Sequence, residues 1–303
     1  MVIQFILTNE TGIEKYAQQL NKIEASISYP LTESNDHFTI THGSPYHTFF
    51  STMGKTRFIV VLDNGAVIGL MVGVWKPVTV NGQSYTALYL ADLKLSEHYR
   101  GKKIIHRMLW FAFTKWLTSS DCRGWDFIFS AAMQRDCSDV TQSFHGAHLG
   151  KLLKISGKLD LYFCSCKELL SLNNQSPLLP SLNHAACLSQ ADSDIRNNAG
   201  RKDLNLQSTG KSWPLIHLTI PSKYWSSDLG RYLKLAVHKQ ASISNSVILC
   251  FSLDSRLIKM RQWLASNNIR PGATCAIYSC PNTLLGSSPI NNADFIHLDT
   301  SQI

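Results

Sequence analysis

Apolar positions along the first half of the chain switch between two periods, and the switches mark out its elements. Residues 13–23 read as a short helix. Residues 57–62 are a β-branched run that ends at Asp63-Asn64-Gly65, a hairpin signal, and residues 66–75 follow as the partner strand. Asn81-Gly82 marks another turn before a third strand at 85–95, so the three predict an antiparallel meander. From Gly101 to Leu117, Ile104, Ile105, Met108, Leu109, Ala112, Phe113 and Trp116 recur every three or four residues and define one face of an amphipathic helix. Residues 126–132 and 158–164 are short apolar runs that read as buried strands.

Residues 171–211 are polar and turn-rich, with no sustained period, and read as a linker or insertion. Beyond them the order is strand (215–220), helix (227–240), strand (246–252), helix (256–266) and strand (274–279). That order echoes residues 85–164 and points to a degenerate, truncated structural repeat, although two unrelated α/β segments give the same order. The tail after Pro281 shows little pattern. The expected fold class is α/β (α+β): a mixed, mostly antiparallel sheet flanked by helices, plus a smaller C-terminal β-α-β-α-β lobe. The expected layout is one domain over 1–170, a flexible linker or insertion over 171–212 and the lobe over 213–303.

Composition narrows the class. An apolar fraction of 44% supports a packed core, and no uninterrupted apolar run is long enough to span a bilayer. The N-terminus lacks the pattern of a signal peptide, so the expected location is cytoplasmic. Eight cysteines follow no metal-site spacing, which argues for reduced thiols and against structural zinc. The net charge of +8 is spread widely, without a nucleic-acid motif, so a nucleic-acid partner is not expected. One basic cluster, 100–107, stands apart because of where it sits.

There a strand ends at Leu95, a polar turn follows, and a helix opens at Gly101 or just after. The first turn of a helix presents unpaired N–H groups and a positive dipole end, which hold phosphate. Arg100, Lys102 and Lys103 oppose that dipole unless an anion compensates them, or unless they simply face solvent.

The segment resembles motif A of the GCN5-related N-acetyltransferase (GNAT) superfamily. Leu93-Lys94-Leu95 matches the end of that family's strand, and Glu97-His-Tyr-Arg-Gly-Lys102 matches the approach to its pyrophosphate loop. The meander resembles the family's second to fourth strands, and 126–132 its fifth, which splays to admit pantetheine. The resemblance covers 1–170 and implies an acyl-CoA co-substrate, acetyl-CoA or another acyl-CoA, with no metal. It implies pantetheine contacts at Leu93, Lys94 and Leu95, and pyrophosphate contacts from Arg100, Gly101, Lys102, Lys103, Ile104 and Ile105. Lys103 and Ile105 replace the two later small residues of the motif.

An amine nucleophile must lose a proton, so the family's chemistry needs a base. Asp92 is the best-placed carboxylate and Glu97 the second; the other reading of Asp92 is an ion pair with Lys94. The family's tyrosine acid is not found, and His145 or His148 stands near the matching position. His42 and Tyr46 fall where the family lines its acceptor pocket, whereas Phe49 and Phe50 read as core. The implied activity is transfer of an acyl group to a primary amine on a small molecule or peptide. The other reading is a binding or sensing module that holds acyl-CoA without turnover.

Overall fold

The β-branched runs form the strands of a computed structural model that describes residues 2–30, 37–134, 154–173, 175–189, 195–197, 203–213, 215–239, 247–282 and 286–303. The strands of the first half are β1 (Ile3–Thr8), β2 (Tyr29–Pro30), β3 (His37–Thr39), β4 (Lys55–Asp63), β5 (Ala66–Val80), β6 (Gln83–Leu95), β7 (Phe127–Met133) and β8 (Lys154–Ser165). Those of the second are β9 (Ala185–Cys187), β10 (Ile195–Asn197), β11 (Leu204–Leu206), β12 (Ser212–Trp213), β13 (Leu215–Leu218), β14 (Ile248–Asp254), β15 (Ala273–Pro281) and β16 (Phe295–His297). The helices are α1 (Glu10–Ile13), α2 (Ala17–Ala25), α3 (Tyr46–Ser51), α4 (Ile104–Thr118), α5 (Cys166–Ser171), α6 (Leu229–Lys239) and α7 (Ile258–Ser266). None is long and apolar enough to cross a membrane.

The expected meander is β4–β5–β6, turning at Asn64-Gly65 and Asn81-Gly82, all four in left-handed conformations that these residue types accept. It lies within one large mixed sheet of order β1-β4-β5-β6-β7-β15-β8-β14-β13-β10, with β9 pairing β5 and β16 pairing β9. The fold class is therefore mixed α/β with a mostly antiparallel sheet, as expected.

The centre of this sheet has an approximate two-fold order. β8 and β15 run antiparallel in the middle, flanked by β14 and β7 respectively. Beyond each flank lies a parallel neighbour, β13 beside β14 and β6 beside β7. Each half thus completes its sheet with a strand from the other: β15 pairs with β7 from Cys275↔Met133 to Pro281↔Phe127, and β8 pairs with β14 from Ser165↔Ile248 to Leu159↔Asp254. The hydrophobic interior follows the same exchange, since Cys275, Ile277 and Leu298 are buried together with Phe58, Tyr89 and Phe129.

Three features differ from the sequence expectation. The helix expected from Gly101 starts at Ile104, because Gly101 (φ +76°) and Lys103 (φ +56°) are left-handed and cannot continue a right-handed turn. Phe113 does not join the inward face of α4 but is 44% exposed, so this helix is apolar on more than one side. The tail after Pro281 is structured: β16 and the 3-10 turn Thr300–Gln302 are buried. Its polar groups are bonded rather than solvated, with Ser252 Oγ donating to Leu298 O and Asp299 N donating to Ser189 Oγ. The segment 171–212 carries β9 to β12, strands of two or three residues that are too short to register as an alternation.

His297 of β16 lies edge-on to the Trp225 ring, and burial pushes its imidazole down to about 4, with Asp299 opposing the shift and Lys76 adding to it. The folded state thus refuses a proton that the unfolded chain accepts near pH 6.5. Stability should therefore fall as pH drops from about 6.5 towards 4. Urea midpoints measured across that window for wild type and His297→Gln should converge at acid pH; parallel curves would assign the loss to other groups.

Candidate active site

β6 and β7 pair only through Ala87↔Phe127, Leu88↔Ile128 and Tyr89↔Phe129. Past that point β6 stays with β5 and β7 stays with β15, so the two strands part. Two hydrogen bonds pin the closed end, Asp126 N to Thr86 O and Thr86 N to Asp126 Oδ2, each 2.7 Å. On the open side β7 offers Ser130, Ala131 and Ala132, small side chains that remain partly exposed.

A bulge interrupts β6 within the parted segment. Val72 pairs with Ala91 and Leu70 with Lys94, so Asp92 and Leu93 together oppose Met71. Asp92 takes φ +49°, a left-handed conformation that aspartate tolerates better than most residues. The extra residue changes the strand's side-chain parity. Leu95 packs beneath α4 with Ile104 and Met108, whereas Asp92 and Lys94 turn to the opposite face, towards α2 and α3.

On that face they meet a buried polar cluster. Lys94 Nζ lies 2.6 Å from Asp92 Oδ1 and 2.6 Å from Glu24 Oε1. His42 Nδ1 bonds Glu24 Oε1 and lies 3.8 Å from Asp92 Oδ2, while the Tyr46 hydroxyl donates to Asp92 Oδ2. The His42 ring rests among Tyr46, Phe49 and Phe50, the last two being core residues as expected. Glu24, His42 and Asp92 each offer an atom within 4.8 Å of the others, the spacing of a metal site. The Lys94 ammonium already takes the place between the carboxylates that a cation would occupy. Two carboxylates thus face one ammonium, with the His42 ring nitrogen beside them. The Asp92 carboxylate is therefore held by Lys94 and Tyr46 and borders His42.

The basic loop follows β6. A 3-10 turn, Glu97–Tyr99, leads through Arg100, Gly101, Lys102 and Lys103 into α4, whose N-terminus has no side-chain cap. Tyr99 anchors the loop by donating to Asp63 Oδ2 at 2.8 Å, and Lys102 Nζ sits 5.0 Å over the Tyr99 ring. Arg100 is half exposed and meets Glu97 only at 3.9 Å. Free helix N–H groups, the dipole and three cations thus converge on one exposed spot. Ile104 and Ile105 point inward and pack against β4 and β5, so any contact they make with an anion uses main-chain N–H groups.

The second half supplies an internal control. After β13 comes a 3-10 turn, Ser222–Tyr224, then left-handed Ser226 (φ +68°) and then α6 at Leu229; the spacing from turn to helix is seven residues in both halves. Here the helix end is closed by the chain itself. Asp228 Oδ1 accepts from Arg231 N at 2.9 Å and from Ser176 Oγ, and Ser176 Oγ accepts from Gly230 N at 3.0 Å. β13 and β14 also part, after His217↔Cys250, but Thr300 lies against both strands there, at 2.9 Å from His217 Nδ1 and donating to Cys250 O. Of two equivalent strand–turn–helix corners, the second is filled by its own side chains and the first is left basic and uncapped.

The structure brings together Asp92, His42 and Tyr46, and it places Lys94 with them through its side chain. Glu97 is far more exposed, its side chain at 83%, and belongs to the basic loop instead. Leu93 is on the opposite side of β6 and 38% exposed. His145 and His148 lie outside the described residues. Glu24 was missed by sequence reasoning, yet it left a signal: it sits four residues after buried Leu20, on the apolar face of α2. A lone carboxylate there needs a buried partner.

No protein-family model and no curated relative matches the sequence. Solved structures do match in fold. A tandem GNAT protein from the clavulanic acid biosynthesis pathway, solved without AcCoA, aligns at a TM-score of 0.51 and 12% identity, covering 95% of this chain and all of that one. Saccharomyces cerevisiae N-myristoyltransferase with bound myristoyl-CoA aligns at 0.54 and 8% identity, covering 97% of this chain and 84% of that one. Both alignments run through the two halves, and the chain has a divergent, two-half GNAT-like fold.

Proposed function

We propose that this chain is an acyl-CoA-dependent N-acyltransferase that acylates a primary amine, with acetyl-CoA as the first donor to test. The observation that carries the reading is the coincidence, on one strand, of the parted β6/β7 edge, the uncapped basic end of α4 and the carboxylate of Asp92. Arg100, Lys102 and the main-chain N–H groups from Gly101 to Ile105 would hold a pyrophosphate. Main-chain groups of Leu93 and Leu95 would pair with pantetheine amides, and the N–H near Leu93 or Lys94 would polarise the thioester carbonyl. Asp92 accepts the proton of the attacking amine, with the Tyr46 hydroxyl steadying its other lone pairs. The C–N bond then forms as the C–S bond breaks, and the thiolate leaves with a proton. His145 would donate that proton.

A second reading is supported by the same loop. Lys103 holds a left-handed conformation that favours glycine, and the Asp92 carboxylate is already paired with Lys94. Both features suit a module that binds acyl-CoA without turnover.

Calorimetric titration with acetyl-CoA and with myristoyl-CoA should give one site per chain, because the second-half corner is closed. Arg100→Ala/Lys102→Ala should weaken binding about tenfold to a hundredfold. Asp92→Asn should keep the affinity but slow free-thiol release with an amine panel about 10²- to 10³-fold. Binding without release in wild type would favour the module, and no binding of either donor would overturn the acyl-CoA reading.

A further inference from the structure

α4 is apolar on two sides, and only one of them is spent on the core. Ile104 and Met108 are buried against Ile59, Ile68 and Leu95. Trp110, Phe113 and Leu117, at helical spacing on the outer side, are 67%, 44% and 50% exposed. Their rings run on as a row: Trp110 to Phe113 at 5.6 Å, Phe113 to Trp116 at 5.7 Å, and Trp116 to Trp125 at 5.9 Å. An exposed aromatic row of this extent marks a surface that meets something.

Charge decides what meets it. α4 contains no aspartate or glutamate but carries His106, Arg107 and Lys115. Lys102 and Lys103 precede it, and Arg123 follows, donating to the Trp116 and Leu117 carbonyls. The nearest acid beyond the helix end, Asp121, is already bonded by Lys55 Nζ at 2.7 Å and Arg57 Nε at 2.7 Å. A second copy of this chain docking on the same face would set these cations against their own images, with no carboxylate of α4 to meet them. Arg107 lies 5.2 Å over the Phe5 ring and Lys115 5.3 Å over the Phe111 ring, along one flank of the row, and tryptophan, phenylalanine and leucine bordered by lysine and arginine is instead the composition of a helix lying in a lipid interface. We propose that the outer face of α4 docks on an anionic membrane surface, with Trp110 and Phe113 inserted at headgroup level and Arg107 and Lys115, along its flank, on lipid phosphates. This does not rest on the acyltransferase reading.

The full chain should cosediment with mixed phosphatidylcholine–phosphatidylglycerol vesicles, far less with phosphatidylcholine alone, and less at high salt. Trp110→Ser/Phe113→Ser should reduce that binding at least about tenfold with an unchanged melting curve, since both residues are exposed. As a milder probe, Trp110→Phe should lower the quenching of tryptophan fluorescence by brominated lipid relative to wild type. Absence of vesicle binding, or binding indifferent to all these substitutions, would overturn the proposal. So would a dimer in light scattering that the double variant dissociates, which would assign the face to a second copy.

Discussion

Lys94→Met should destabilise the fold by about 3–5 kcal/mol, the usual cost of stranding buried charges by removing one partner. Lys94 is 6% exposed and its ammonium touches both Glu24 and Asp92 at 2.6 Å. Methionine fills nearly the same volume, so the loss would be electrostatic rather than a cavity. Removing a carboxylate at the same time should recover much of it: Lys94→Met/Glu24→Gln should be more stable than Lys94→Met alone. Urea unfolding of the three proteins measures this coupling. A single-variant loss below about 1 kcal/mol would mean that the carboxylates reach water and that the cluster is not closed.

The second large effect concerns the halves. A chain ending after Ser171 should fail to give a soluble, cooperatively folded protein. It would lose β14 and β15, leaving β8 with neither neighbour and β7 with only three paired residues on β6. Unpaired strand edges of this length aggregate. The buried cluster around Phe58 and Tyr89 would also lose Cys275, Ile277 and Leu298. Gel filtration and urea unfolding of the fragment test this. A monodisperse fragment with a cooperative transition would show that residues 1–170 stand as a domain by themselves.

Local features of the chain were legible because local physics decides them. Asn-Gly and Asp-Asn-Gly set the hairpin turns, β-branched runs set β4 and β5, and helical spacing set the inner face of α4. Exchange between halves was not legible, since nothing in the period of β15 says that its neighbours are β7 and β8 rather than its own half. For the site, Asp92, His42 and Tyr46 came from a family resemblance, and the structure adds the reason they meet. A single inserted residue in β6 brings Asp92 and Lys94 to the face that Tyr89 and Ala91 already occupy, a parity change that strict alternation does not anticipate. Glu24 was hidden because a charged residue on a short helix usually faces water.

The strand exchange also sets a schedule for synthesis. β15, which completes β7, begins about 140 residues after β7 ends, and at ordinary translation rates that gap lasts on the order of ten seconds. Through that interval the nascent first half carries an open edge that only its own later sequence can close. Ribosome-bound chaperones, or a pause that holds the first half near the exit tunnel, would therefore have more influence on the yield of this chain than on one whose halves close independently.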